Sequence, residues 1–240
     1  MNHIKRAIIL AAGLGNRMKP LTLSTPKPLV KVNGIRMIDS VVNALHANQI
    51  FEIYVVVGHL KEKFEEWVKE QSGITLIENP DYNSCNNISS LYYARNYLED
   101  AIVLDGDQLI NNKEMLFRDF QKSGYNSIWI EQETNEWVQQ VEDGRVVSCS
   151  KTGGNRGWQL YSVSRWNQED AKKLKKCLER EFEIQKNRQI YWDELALFLY
   201  KDDFDLGVYP MHANDVVEID SLDELIEMDQ SYIQYREGLK

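Results

Sequence analysis

Apolar and amphipathic runs alternate along the first 110 residues. Ile4–Leu10 closes on Ala7-Ile8-Ile9-Leu10, an apolar run short enough for a buried parallel strand. From Met37 to Gln49 the apolar positions Ile38, Val41, Val42 and Leu45 follow a helical period. Phe51–Val57 is a β-branched strand closed by Gly58. Glu62–Gln71 predicts a charged helix burying Phe64, Trp67 and Val68. A strand over Ile74–Ile77, a helix over Ser89–Leu98 and a strand over Ala101–Leu104 complete the alternation. Such alternation argues for right-handed βαβ units and a mainly parallel sheet.

Beyond residue 110 the pattern changes. Ser127–Glu131 and Trp137–Ser150 read as strands, the second turning at Glu142-Asp143-Gly144, and Gln159–Val163 as another. Gln168–Gln185 predicts a long polar helix, Asp193–Tyr200 a shorter one, and Asp215–Ile219 a strand. The last helix, Ser221–Tyr235, opens on a Ser221-to-Glu224 capping box. The fold class expected is α/β: a Rossmann-like, mainly parallel sheet flanked by helices, with a small mixed β/helical C-terminal elaboration. No repeat or linker divides the chain, so residues 1–240 read as one domain. Residues 1–110 form its alternating half and 111–240 the half in which the pattern changes.

Composition narrows the function. The 240 residues carry a net charge of −9, yet residues 1–36 hold seven Lys/Arg and no acid, which leaves 21 basic against 37 acidic residues over 37–240. A basic opening on an acidic chain suggests a local anion site. A nucleic-acid surface would need a basic face over the whole domain, so no nucleic-acid partner is expected. No apolar run approaches the ~18–20 residues of a membrane span, so no membrane insertion is expected. The three scattered cysteines, Cys85, Cys149 and Cys177, show no metal spacing and suit a reducing cytoplasmic compartment. A homodimer is compatible with the sequence.

Four stretches carry chemistry. In Leu10–Leu29, Gly13 and Gly15 follow a strand, which lets the backbone turn and aim N–H groups at phosphate oxygens. Arg17 and Lys27 add positive charge there, suited to a triphosphate and its pyrophosphate leaving group. No Gly-Lys-Ser/Thr ends the loop and the third dinucleotide-type Gly is missing, so it is neither a Walker A loop nor a Rossmann fingerprint. Asp105-Gly106-Asp107 ends a strand where open parallel sheets bind ligands, and its hard oxygens suit Mg²⁺; a loop-capping Asp is the plain alternative. Glu218-Ile219-Asp220 puts two carboxylates on one strand face, which repel unless a cation lies between them. Asp220 or Ser221 can equally cap the final helix. Trp137 and Trp192 offer π faces to a cation beside carboxylates, or are simply core, as Trp67, Trp129 and Trp166 are expected to be.

Segment 10–29 resembles the signature of nucleotidyltransferases that join a nucleoside triphosphate to a phosphorylated small molecule, sugar-1-phosphate nucleotidylyltransferases among them. The nearer resemblance is to the bacterial CTP:phosphocholine cytidylyltransferases. Asn86-Asn87-Ile-Ser-Ser90-Leu-Tyr92, Asn135-Glu136-Trp137, Ser150-Lys151, Tyr191-Trp192-Asp193 and Glu218-Ile-Asp220-Ser221 extend it over nearly the whole chain. The resemblance implies transfer of CMP from CTP to phosphocholine, giving CDP-choline and pyrophosphate. It implies Mg²⁺ on Asp107, Glu218 and Asp220, and catalytic roles for Arg17, Lys27 and Lys151, with Lys151 gripping the acceptor phosphate unless it is a surface lysine. It implies a nucleotide site at Leu10, Ala12, Gly13, Gly15, Asn87, Ser90 and Asp105. A box of Trp137, Tyr191, Trp192 and Asp193 would hold the ammonium group. The alternatives are 2-aminoethylphosphonate as acceptor, a sugar 1-phosphate as acceptor, or a nucleotide-binding regulatory module without turnover.

Overall fold

The structure is a computed structural model describing residues 1–237. Its centre is a sheet whose first half is parallel. Strands β1 (Arg6–Ala11), β2 (Glu52–Val57), β3 (Ile74–Glu78) and β4 (Ala101–Asp105) lie in the order β3-β2-β1-β4, all pairs parallel. Ala7, Ile8 and Ile9 are wholly buried because helices cover both faces of β1. Helix α1 (Met37–Ala47) presses Ile38, Val41 and Leu45 on one face, and helix α3 (Ile88–Ala94) covers the other with Ile88 and Leu91. Helix α2 (Lys61–Trp67) adds Phe64 and Trp67 to the α1 side.

The second half of the sheet is antiparallel onto β4. β5 (Gln108–Ile110) leaves the main sheet; β6 (Gly124–Ile130), β7 (Val138–Glu142), β8 (Arg145–Ser150) and β9 (Gly157–Trp166) rejoin it in the order β8-β7-β9-β4. The β7–β8 hairpin turns at Asp143 and Gly144, both at positive φ (49° and 73°), the left-handed pair that an Asp-Gly turn supplies. β6 pairs with β9 and, in parallel, with β10 (Gly207–Pro210). β11 (Val216–Glu218) runs antiparallel to β5.

Several expected elements end early or change period. Gln168–Gln185 splits into α4 (Gln168–Glu179) and a π-helical turn, Arg180–Ile184. Asp193–Tyr200 is a π-helical turn over Leu195–Leu199. The Ser221 capping box forms as expected, but α5 (Leu222–Met228) stops at Asp229, whose carboxylate accepts the N–H groups of Asn33 and Ser231. Trp67 and Trp166 are core. Trp129, expected to be core, is 45% exposed and meets Trp158 edge-on under Arg156. Lys5 pairs with the buried Asp100 at 2.7 Å.

Candidate active site

Between β1 and β4 the strand order reverses, and the loops beyond their C-terminal ends bound a cleft of about 460 Å³. It is lined by Leu10, Gly13, Gly15, Arg17, Lys27, Asn87, Asp105 and Asp107 from the first half of the chain. Glu136, Trp137, Ser162, Tyr191, Asp193, Glu218 and Asp220 come from the second. A smaller lobe of about 280 Å³ shares Leu10, Gly13, Asn87, Asp105 and Asp107 and adds Ala12, Asn79, Ser89 and Ser90.

The glycine loop is folded for openness. Gly15 sits at φ 62°, and a Cβ there would lie 2.8 Å from Thr22 Cγ2. Thr22 Oγ1 donates to the Gly15 carbonyl at 2.8 Å, and His59 Nε2 donates to the Thr22 carbonyl at 2.8 Å. His59, unremarkable in the sequence, thus ties the loop to the end of β2. Around Gly13 the cleft is open.

Charge is concentrated at the loop's far end. Lys27, only 8% exposed, bridges Asp107 at 2.5 Å and Asp220 at 2.8 Å, and Arg17 reaches Asp220 at 3.0 Å. Burial works against the Lys27 ammonium, but the charges and hydrogen bonds of Asp107 and Asp220 override it, and its pKa lies above the ordinary lysine value. Asp220 shows the reciprocal shift: burial would raise it, yet Lys27 and Arg17 hold it below the carboxylate range. Ser221 is the helix cap, so the Asp220 side chain is free for this role.

Asp107 and Asp220 thus converge on one cation, the hard-oxygen pair that Mg²⁺ takes together with phosphate oxygens, so the donor set fits that ion. Glu218 does not join them. β11 ends at Glu218, so the pair does not share a strand face as expected, and Glu218 Oε1 accepts instead from Gln108 Nε2 at 2.8 Å. Among the described residues no group of three or more His, Cys, Asp or Glu side chains is arranged to hold a metal ion.

Carboxylates crowd the wall opposite. Asp105 is driven well above the usual range by burial, then by Asp107, Glu218 and Asp193. Glu218, open to the cleft yet hemmed in by protein, is pushed up to about 7 by desolvation, against the hydrogen bond from Gln108, with Asp107 and Asp220 adding to the rise. Asp193 is 7% exposed and is also pushed up to about 7 by burial. Tyr125 lies close enough to hold it down somewhat, but neither the Tyr125 hydroxyl nor Asp193 Oδ1 reaches hydrogen-bond geometry with any described partner. Beside Asp193 stand the half-buried Trp137 ring and the exposed Tyr191 ring, edge to face with centroids 5.8 Å apart.

Two expected site residues lie elsewhere. Trp192 is 3% exposed, its ring packed against Tyr125 and Trp166 at 6.2 and 6.0 Å, so it belongs to the core and not to an ammonium box. The alternation after Tyr191 turns Trp192 inward and Asp193 toward the cleft. Lys151 is absent from the cleft wall: its ammonium is paired with Glu194 at 2.6 Å and stands over the Phe198 ring. Ser162, which lines the cleft with Asp105, and the buried Asn79 carried no signal in the sequence, because a polar residue within or just after a strand looks like any solvent-facing one.

Residues 7–179 match the MobA-like NTP transferase domain. The chain belongs to that family. It is an enzyme of the nucleotidyltransferase class, and two relatives match it over nearly their whole lengths. A 2-aminoethylphosphonate cytidylyltransferase of Lancefieldella rimae is 35% identical over 230 residues, 95% of this chain and 93% of the relative. A choline-phosphate cytidylyltransferase of Streptococcus pneumoniae is 33% identical, covering 94% and 97%. The solved CTP:phosphocholine cytidylyltransferase of Streptococcus pneumoniae superposes with a TM-score of 0.84 at 32% identity, over 99% of this chain and all of that one. The fold of this nucleotidyltransferase is also that of an inositol-1-phosphate CTP transferase from T. maritima, at a TM-score of 0.76 and 18% identity.

Proposed function

We propose that this nucleotidyltransferase transfers CMP from CTP to phosphocholine, releasing pyrophosphate. The observation that carries the acceptor class is Asp193: a buried carboxyl with an unpartnered oxygen, set beside the Trp137 and Tyr191 faces in the cleft that also holds Arg17, Lys27 and Asp107. A small ammonium group would be attracted by the π faces and would supply the charge that Asp193 lacks. Relatives named for choline phosphate and for 2-aminoethylphosphonate support an acceptor carrying both a cation and a phosphoryl or phosphonyl group.

The chemistry needs no general base, since the acceptor's phosphate oxygen is already an anion. That oxygen forms a bond to the α-phosphorus of CTP while the bond from the α-phosphorus to the bridging oxygen breaks in line. The electron pair leaves with pyrophosphate. The cleft contributes position and charge. The glycine loop receives the triphosphate, and Arg17 and Lys27 offset the charge that grows on the leaving group. Asp107 and Asp220 would hold Mg²⁺, which when bound neutralises phosphate oxygens and orients them. In this reading the enzyme works in a reducing cytoplasm, which its three free cysteines support.

One observation favours 2-aminoethylphosphonate as a second reading. With Trp192 in the core, the box keeps a single indole among the carboxylates Glu136, Asp193 and Glu218, a set that suits a hydrogen-bonding primary ammonium. Pyrophosphate release measured with CTP and phosphocholine, 2-aminoethylphosphonate or sugar 1-phosphates decides between them. Phosphocholine is expected to give the highest kcat/KM. A tenfold preference for the aminophosphonate would transfer the assignment to it, and a preference for a sugar phosphate would overturn the ammonium box.

A further inference from the structure

The smaller lobe contains a hydrogen-bond relay that the transfer step does not use. Asn79 follows β3 and is 1% exposed. Its Oδ1 accepts the backbone N–H of Asp81 at 3.0 Å. A backbone N–H can only donate, so this bond settles which end of the amide is which. The Nδ2 group therefore faces the other way, donating to Ser89 Oγ at 2.9 Å and Ser90 Oγ at 3.1 Å. Ser89 passes its own proton to the Asn86 carbonyl at 2.9 Å. The Ser90 hydroxyl finds no acceptor among the described residues, and Ser90 lines the lobe. Asn79 fills one of the two lone pairs on its oxygen, and the unspent proton is the group that a base in the lobe must satisfy.

Asn87 is set in the same sense. Its Oδ1 accepts the Trp192 backbone N–H at 2.9 Å, which leaves its amino group as the one it can present to the cleft. Two neighbouring side chains thus present donors that still need acceptors. A base with two adjacent acceptors can satisfy both. Cytosine carries O2 and an unprotonated N3 side by side. Uracil carries a proton on N3, which sets donor against donor and leaves a buried group unpaired.

We propose that Asn79 determines the base preference of this enzyme: by holding Ser90 as a donor it selects cytosine over uracil. The inference rests on the reading of the nucleotide as CTP and adds a positioning residue to it. A site built to hydrogen-bond its substrate rejects the mismatched analogue strongly.

The test is calorimetric binding of CTP and of UTP, each with Mg²⁺ and without acceptor, to the full chain and its variants. In N79D the carboxylate accepts from both the Asp81 N–H and the Ser90 hydroxyl, so the Ser90 proton turns away from the lobe. The native protein is expected to bind CTP at least about 30-fold tighter than UTP, and N79D to lower that ratio about tenfold or more, chiefly by weakening CTP. If circular dichroism shows N79D unfolded, S90A carries the test, since it deletes the donor and leaves the amide in place; it should lower the ratio similarly. A native preference for CTP that survives in folded N79D and in S90A overturns the role of Asn79 alone. A native protein that binds UTP as tightly as CTP overturns the CTP reading itself.

Discussion

The two ends of the cleft are built on opposite electrostatic plans. At the triphosphate end every charge has a counter-charge in place: Lys27 between Asp107 and Asp220, Arg17 on Asp220. At the acceptor end carboxyls are gathered without cations. Asp193 and Glu218 are both pushed up to about 7, and Asp193 keeps an oxygen with no partner. The first end is satisfied as it stands and must exchange partners to work. The second is held in an unfavourable state that a cationic ligand would relieve. Strain of this kind belongs to binding sites, because a folded chain gains nothing from it otherwise.

The largest effect should come from the satisfied end. Replacing Asp107 by Ala removes half of the carboxylate pair and frees Lys27. Turnover is expected to fall about a thousandfold or more, with near-UV circular dichroism unchanged. Near-normal pyrophosphate release would break the assignment of this end as the charge-handling one.

Next in size is Asp193→Asn, which should separate function from stability. The acceptor KM should rise about 10- to 100-fold with the CTP affinity intact. The stability effect has the opposite sign. A carboxyl raised from its ordinary value to about 7 keeps in the folded state a proton that the unfolded chain has released, so native stability declines as pH climbs from about 4 to about 7. The asparagine variant lacks that decline, and above pH 7 it should be more stable than the native protein by about 2–4 kcal/mol, with the gap closing near pH 4. Urea unfolding at pH 5 and pH 8 measures it. Equal stability at both would show that the two ends do not differ as described.

Trp137→Leu sharpens the acceptor end. Loss of one π face should raise the KM of an ammonium-bearing acceptor about 3- to 30-fold while leaving kcat nearly unchanged. An unaltered KM would argue for a neutral acceptor. The smallest functional effect is expected from Trp192→Phe. Its ring packs between Tyr125 and Trp166, so the change should destabilise by about 1–3 kcal/mol and move the acceptor KM by less than about twofold. A tenfold KM change would return Trp192 to the box.

The same contrast separates what was legible in the chain. The triphosphate end is written in one continuous segment, Leu10–Leu29, and in Asp105-Gly106-Asp107 at the end of β4, where a strand followed by special residues announces a site. The acceptor end is assembled from segments around residues 136, 162, 192 and 218, and adjacency in sequence misled there. Tyr191-Trp192-Asp193 reads as one aromatic–acid cluster, but the backbone sends Trp192 to the core and its neighbours to the cleft. Lys151 looked free and is held by Glu194, 43 positions away.

By itself the sequence determined the parallel half-sheet, since the spacing of apolar residues dictates which segments can be buried on both faces. It also determined the glycine-and-lysine loop and the capping box at Ser221, because these depend on residues a few positions apart. Only the tertiary structure decided that α5 ends at Asp229, whose carboxylate reaches Asn33, that Trp129 faces solvent, and that Lys27 joins Asp107 to Asp220. It also decided the sense of the Asn79 and Asn87 amides, each set by a backbone N–H it happens to meet. The physical reason is common to all of these. Burial, ion pairing and the direction of a hydrogen bond are properties of pairs of groups, and a pair drawn from distant parts of the chain has no expression in local spacing.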